Sequence, residues 1–287
     1  MESVLTQCFT LGECPRWDEK KQVLWWVDII NQQLHGFNSQ NGEHIFRQFS
    51  EEIGCFALCE SGGFILAGSS GFWRIDSFNG PMQHLNDPES DFPRHRFNDG
   101  RCDKQGRFIA GTMNPDKNDT FGQFYQINAM HQIKRLIGRS WTCNGLAFSP
   151  DGTTLYWSDT PQRSIYQCDY DVQTGIATNQ RLFYQVSDNK GRPDGGSVDS
   201  LGNYWSSLYG GGEILCISPD GRLLQELSVP VSNPTMVTFG GVDLQTMYIT
   251  SANQQLSEQQ LKANPLEGSL LCYRAPYPGI IESRFAG

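Results

Sequence analysis

The segment NGLAFSPDGTTLYWSDT (144–160) reads as two β-strands joined by a tight turn. Leu146, Ala147 and Phe148 form a short apolar run. Pro150, Asp151 and Gly152 then supply turn chemistry: proline presets φ, aspartate bonds its own backbone, and glycine accepts a left-handed conformation. Leu155, Tyr156 and Trp157 resume a strand rich in large side chains. The same hairpin is written five more times, as CPRWDEKKQVLWWVDI (14–29), GCFALCESGGFILAGS (54–69), DGRCDKQGRFIAGTM (99–113), DGGSVDSLGNYWSSLY (194–209) and PTMVTFGGVDLQTMYITSA (234–252). Alternating β-branched and aromatic residues around Asp/Gly turns are hairpin chemistry.

Further strands follow each hairpin: QQLHGFN (32–38), GFWRID (71–76), GQFYQI (122–127), SIYQCD (164–169), EILCIS (213–218) and SLLCYR (269–274). Units marked at Gly12, Gly54, Asp99, Asn144, Asp194 and Asn233 are spaced by 42, 45, 45, 50 and 39 residues. That period belongs to four-stranded propeller blades. The sequence therefore predicts an all-β, six-bladed β-propeller with four-stranded antiparallel blades, one domain spanning 1–287. A β-sandwich would leave six matching units unexplained. Because an open last blade exposes sheet edges, residues 3–10 (SVLTQCFT) are expected to complete the blade that holds the C-terminal strands. Helical periodicity is absent over any long window; QQLSEQQLKANP (254–265) reads as an excursion between strands with at most a turn or two of helix.

Of the 287 residues, 38% are hydrophobic and 18% charged, a composition able to bury a large core. The net charge of −9 argues against nucleic-acid partners and against anionic membranes. No run approaches 18 apolar residues, and MESVLTQCFT lacks the basic and apolar regions of a signal peptide. Nine cysteines, an odd number without a C-x-x-C pair, fit a reducing cytoplasm where thiols serve as small buried hydrophobes.

In a propeller the innermost strands begin near one mouth of the central channel, so polar residues at those places converge. Here they are Glu13, Asn98 with Asp99, Asn144, Asp194 and Asn233. Several are oxygen donors and none is histidine, which suits hard or borderline cations such as Ca²⁺, Mg²⁺ or Mn²⁺ better than a typical zinc site. Asn and Asp also cap turns at strand starts, and at this level both readings stay open. For Asp99, Asp151 and Asp220, each directly before glycine, turn capping is the expectation. Among other candidates, His95 reads as a surface-loop residue and Cys143 as packing. SLYGGG (207–212) lacks the Lys-Ser/Thr and helix of a phosphate loop. Tryptophans 25, 26, 73, 141, 157 and 205 fall mostly at blade-repeat positions and read as inter-blade core, with Trp141 close enough to Asn144 to line a site.

LGECPRWD (11–18), RFNDGRCDKQGRFIAGTM (96–113), CNGLAFSPDG (143–152), RPDGGSVDSLGNYW (192–205) and NPTMVTFGG (233–241) resemble the ordered motifs of the gluconolactonase/regucalcin family, from about residue 8 to about residue 275. The resemblance implies metal-dependent hydrolysis of a sugar lactone to its aldonic acid. It implies one divalent cation, Ca, Zn, Mn, Mg or Fe(II), held by Glu13, Asn144 and Asp194. It also implies that Arg96 and Asn98 contact substrate, and Asp194 is the expected general base. The family's vertebrate regucalcins carry a substrate-contacting Glu after the G-T-M motif, whereas NPDKNDTFGQF (114–124) supplies none, so their substrate preference does not transfer. Two other classes share such a site: a propeller hydrolase of phosphoesters or organophosphates, and a non-enzymatic calcium-binding propeller.

Overall fold

The computed structural model describes residues 1–116 and 121–287. Among the described residues there are 24 strands and one short helix. The strands form six four-stranded antiparallel sheets, five of them meanders of consecutive strands. Their innermost strands are Gly12–Asp18, Ile53–Leu58, Arg96–Cys102, Cys143–Phe148, Arg192–Val198 and Pro234–Gly240. Each packs on the innermost strand of the next blade, and the sixth packs on the first, so the ring is closed. The six-bladed propeller expected from the repeat is what the chain forms.

Burial follows from this arrangement. Inner strands are covered on both faces; Gly12–Asp18, Ile53–Leu58, Cys143–Phe148 and Pro234–Gly240 are buried throughout. Outer strands such as His44–Gln48 and Gln83–Asn86 are largely exposed. The core lies between blades, where aromatic rings bridge adjacent sheets: Trp25 to Phe64 at 4.9 Å, Phe124 to Trp157 at 5.6 Å, Trp205 to Phe239 at 6.4 Å. Trp17 stacks on Tyr248 at 5.6 Å across the seam between first and last blades. Trp73 departs from the core expectation: it is half-buried, and its Nε1 donates to Glu51 at 3.0 Å.

The turns carry the chemistry read from sequence. Asp103 accepts the backbone N–H groups of Gln105 and Arg107, and Asp199 those of Leu201 and Asn203. Asp151 accepts the N–H of Thr153, and Asp220 pairs with the Ser218 hydroxyl, so both are turn residues as expected. Residues 258–263 make the single helix, Glu258–Ala263, started by a capping box between Ser257 and Gln260. No helix among the described residues is long and apolar enough to cross a membrane.

Strand Glu2–Cys8 pairs antiparallel with Ser269–Arg274 as the outermost strand of the sixth blade, where closure was expected. Its half-buried Val4 and Leu5 pack against a cluster holding Trp17, Trp26 and Tyr248. Deleting residues 2–8 is expected to cost about 2–4 kcal/mol, lowering the melting temperature by roughly 5–10 °C. A truncated chain that melts with the full one would mean that ring packing alone suffices for closure.

Candidate metal centre and substrate site

Each of the six inner strands shifts register against its neighbour near its start. The irregularities fall between Glu13 and Arg16, Ile53 and Cys55, Phe97 and Asp99, Asn144 and Ala147, Pro193 and Gly196, and Pro234 and Met236. A bulge re-aims side chains that a regular pleat would send to a sheet face. Sequence placed the polar residues just before the strands; the structure places Glu13, Asn98, Asp99, Asn144 and Asp194 inside them, at these bulges. Only Asn233 precedes its strand, where its carbonyl accepts the Ala252 N–H.

A hydrogen-bonded relay joins four blades, the second to the fifth. Arg96 pairs through Nε with Glu52 at 3.0 Å and donates from Nη1 to Asn98 Oδ1 at 2.7 Å. Asn98 Nδ2 donates to Asn144 Oδ1 at 2.7 Å and to the Cys143 carbonyl at 3.0 Å. Asn144 Nδ2 donates to Thr160 Oγ1 at 2.9 Å, and Thr160 donates to the Pro193 carbonyl, one residue before Asp194. Ser158 Oγ reaches the Asp194 carbonyl at 2.8 Å. Asn98 and Asn144 thus hold each other's amides in one orientation. Arg96 keeps its second Nη group without a hydrogen bond among the described residues.

Glu13 and Asp194 are 8% and 5% exposed, buried enough that the charged form of either is costly. Burial, then the charge of Asp99, pushes Glu13 up to about 8 from an ordinary 4.5, against the Cys14 N–H, Arg96 and Arg16. Burial, then Glu13, then Asp99, lifts Asp194 well above the usual carboxylate range. No hydrogen bond reaches the Asp194 carboxylate among the described residues. Two buried carboxylates, one of them raised by the charge of the other, together with an amide oxygen that a neighbour orients, are donors that suit a hard or borderline divalent cation. Among the described residues no three His, Cys, Asp or Glu side chains group closely enough to hold a metal by themselves, so an ion here would need a donor of another type, such as Asn144 Oδ1.

Asp99 corrects an expectation. It caps no hairpin turn. Its carboxylate is 3% exposed, accepts the N–H groups of Gly100 and Leu146, and lies 3.7 Å from Arg16. His95 is also not a surface residue: it is 7% exposed, with Nδ1 2.7 Å from Glu89 Oε2. Glu89 also accepts hydroxyls from Thr112 and Tyr125, and this anchors the loop that delivers Arg96. Cys143 is fully buried and its thiol is raised well above the ordinary value, first by burial, so packing is its role.

Trp141 is half-buried beside Phe121, ring centroids 4.2 Å apart, and its backbone N–H donates to Asp159. Of the 114–124 segment, which has no Glu, residues 117–120 lie outside the described residues. Sequence reasoning missed Glu52, Thr160 and Tyr209. The Tyr209 hydroxyl is buried, and burial followed by the charge of Asp194 pushes it up to about 12, against Gln254. Only the partners reveal these three.

Folding favours the protonated form of Glu13. Its contribution to stability is therefore fully present below 4.5 and is lost as the pH rises through about 8. Chelator-treated protein is expected to lose melting temperature across that window, and Glu13→Gln to flatten the slope. A slope unchanged in the variant would assign the pH dependence elsewhere.

A family model described as the SMP-30/gluconolactonase/LRE-like region matches residues 11–253. The chain is 41% identical to 6-deoxy-6-sulfogluconolactonase of Pseudomonas putida over 287 residues, covering 100% of this chain and 99% of that one. It is 32% identical to L-arabinolactonase of Azospirillum brasilense over 282 residues, covering 97% and 93%. The crystal structure of a calcium-binding protein, regucalcin, from Agrobacterium tumefaciens superposes with a TM-score of 0.94 at 26% identity, covering 99% of this chain and 96% of that one.

Proposed function

The chain belongs to the SMP-30/gluconolactonase/LRE-like family, and from that membership we propose that it acts, as one propeller domain, as a lactonase opening a sugar lactone to its aldonic acid. Relatives named for a sulfogluconolactone and an arabinolactone support aldonolactones as the substrate class. What supports the reading is that Glu13 and Asp194 are buried carboxylates on the inner strands, that the charge of Glu13 raises Asp194, and that Asn98 orients the amide of Asn144 on a third inner strand. These three residues would hold one divalent cation, and its charge would favour negative charge developing on the lactone carbonyl oxygen. Ca, Zn, Mn, Mg and Fe(II) all suit such donors, and the calcium-binding regucalcin relative favours calcium first. The nine free cysteines fit a reducing, cytoplasmic setting.

Hydrolysis needs a water oxygen to bond the carbonyl carbon, the ring C–O bond to break, and the ring oxygen to take a proton. Asp194 is the proton acceptor for that water and, once protonated, returns the proton to the ring oxygen as the ring C–O bond breaks. Arg96, fixed by Glu52 and Asn98, directs its unspent Nη2 hydrogens to substrate oxygens. Asn98 uses both donors within the relay, so it offers substrate only its Oδ1 and otherwise acts through Asn144.

The test is a panel of gluconolactone, galactonolactone, arabinonolactone and xylonolactone, with phosphotriesters alongside, followed with chelator, without it, and after cation is restored. Lactone opening that chelator abolishes and cation restores is expected. Phosphotriester hydrolysis alone, or calcium binding without turnover of either class, would replace this reading by one of the other two.

Arg96→Ala is expected to lower kcat/KM by roughly 10–100-fold, the worth of a lost charge-assisted hydrogen bond, with cation affinity near normal. Loss of cation binding in a folded variant would move Arg96 from substrate to metal.

A further inference from the structure

After the last strand, Ser269–Arg274, residues 275–287 cross the face of the ring opposite the site. Ser200 N–H bonds the Pro278 carbonyl on the fifth blade, and Gly279 N–H bonds Leu244 on the sixth. Phe285, fully buried, exchanges backbone hydrogen bonds with Leu58 and Glu60 on the second, and Ala286 bonds Gly106 on the third. Arg284 pairs with Asp18 at 2.8 Å and Glu19 at 2.7 Å on the first. A void of about 10 Å³ remains between this segment and the blades, about the space of one water.

The segment also sends a charge into the channel. Glu282 Oε1 lies 2.6 Å from Arg101 Nη1 and 3.3 Å from Thr238 Oγ1, and its Oε2 lies 3.4 Å from Arg16 Nε. Both guanidiniums are anchored to inner-strand carbonyls: Arg16 to Gly100, Arg101 to Leu146 and Gly196. Arg16 is 3.7 Å from Asp99 in turn. Two cations, Arg16 and Arg101, thus stand between two anions, Glu282 on the far side and Asp99 on the side of Glu13 and Asp194. Without Glu282 the four-group stack would carry an uncompensated positive charge, in a medium where charges act over longer range than in water.

We propose that Glu282 is a positioning residue for the metal centre: the 275–287 segment plugs the far mouth, and its carboxylate neutralises the Arg16–Arg101 pair so that the site above can hold a divalent cation. The inference rests on the cation reading of Glu13, Asn144 and Asp194. Its distinguishing readout is cation affinity, measured without substrate.

The experiment titrates Ca²⁺ and Mn²⁺ calorimetrically into the chelator-treated full chain and its variants. Glu282→Gln keeps shape and removes the charge; affinity is expected to fall roughly tenfold. Arg284→Ala breaks the rim pairs with Asp18 and Glu19 and leaves the axis charges untouched, so it should lower the melting temperature with affinity unchanged. Should Glu282→Gln fail to fold, Glu282→Asp carries the test. It keeps the charge but withdraws it by one methylene from Arg101, and a smaller loss of affinity is expected. Unaltered affinity in the folded Glu282 variant overturns the proposal, as does an equal loss in Arg284→Ala, which would make the effect one of segment anchoring. Absence of cation binding by the unsubstituted chain would instead remove the metal centre itself, and this inference with it.

Discussion

Asp194→Asn is expected to lose about 10²–10⁴-fold in kcat even at cation concentrations that saturate the site, the usual consequence of removing a general base. Asparagine keeps one oxygen donor and nearly the same shape, so cation binding weakens without being abolished. What disappears is the proposed proton acceptor. Glu13→Gln is the comparison, because it removes a ligand charge from the same site and leaves Asp194 in place. Its defect should lie in affinity and recover in large part when cation is added. It should also lower the pKa of Asp194, since the neighbouring negative charge is gone. Activity at saturating cation separates the two variants. If Asp194→Asn recovers as fully as Glu13→Gln, Asp194 is a ligand only, and the attacking water is deprotonated by another route.

Gly145→Ala should be the most damaging small substitution near the site. Gly145 has φ of +62°, the left-handed region that costs a residue with a Cβ about 1–2 kcal/mol. A Cβ there would stand 2.2 Å from the Tyr204 hydroxyl, 2.9 Å from Ser158 Oγ and 3.0 Å from the Asp194 carbonyl. Tyr204 is fully buried and donates to the Gly145 carbonyl at 2.7 Å, so it has nowhere to retreat. Strain and overpacking together give about 2–5 kcal/mol, a fall in melting temperature on the order of 10 °C. The displaced atoms include the Asp194 carbonyl and the Ser158 hydroxyl that bonds it, so cation affinity should fall as well. Gly145→Ala with Tyr204→Phe removes the nearest clashing atom but retains the left-handed strain. It should regain part of the stability, and no regain would mean that backbone conformation is the whole cost.

The order and number of blades were legible in the sequence because they rest on local chemistry repeated at a regular spacing. Pro150, Asp151 and Gly152 make their turn from their own side chains and backbone, with no help from distant residues. The place of Glu13, Asn144 and Asp194 was legible for the same reason, each being the polar residue near the start of an inner strand. Closure by Glu2–Cys8 followed from the need to cover a sheet edge.

Asp99 shows where local reading stops. Asp-Gly is the same dipeptide at a hairpin turn and at a bulge, and only packing against Arg16 and Leu146 decides that this one is a buried charge. His95, flanked by two arginines, reads as surface from sequence alone, and only its pairing with Glu89 makes it a buried residue. Glu52 and Thr160 gained meaning only as partners of Arg96 and Asn144. Glu282 is the extreme case: it lies 181 positions from Arg101, in a segment with no repeat pattern. A repeat fixes structure through short-range turns and alternation, both carried by neighbouring residues. The charge balance at the ring axis depends on side chains that meet only after six blades have closed, and so the tertiary structure alone decided it.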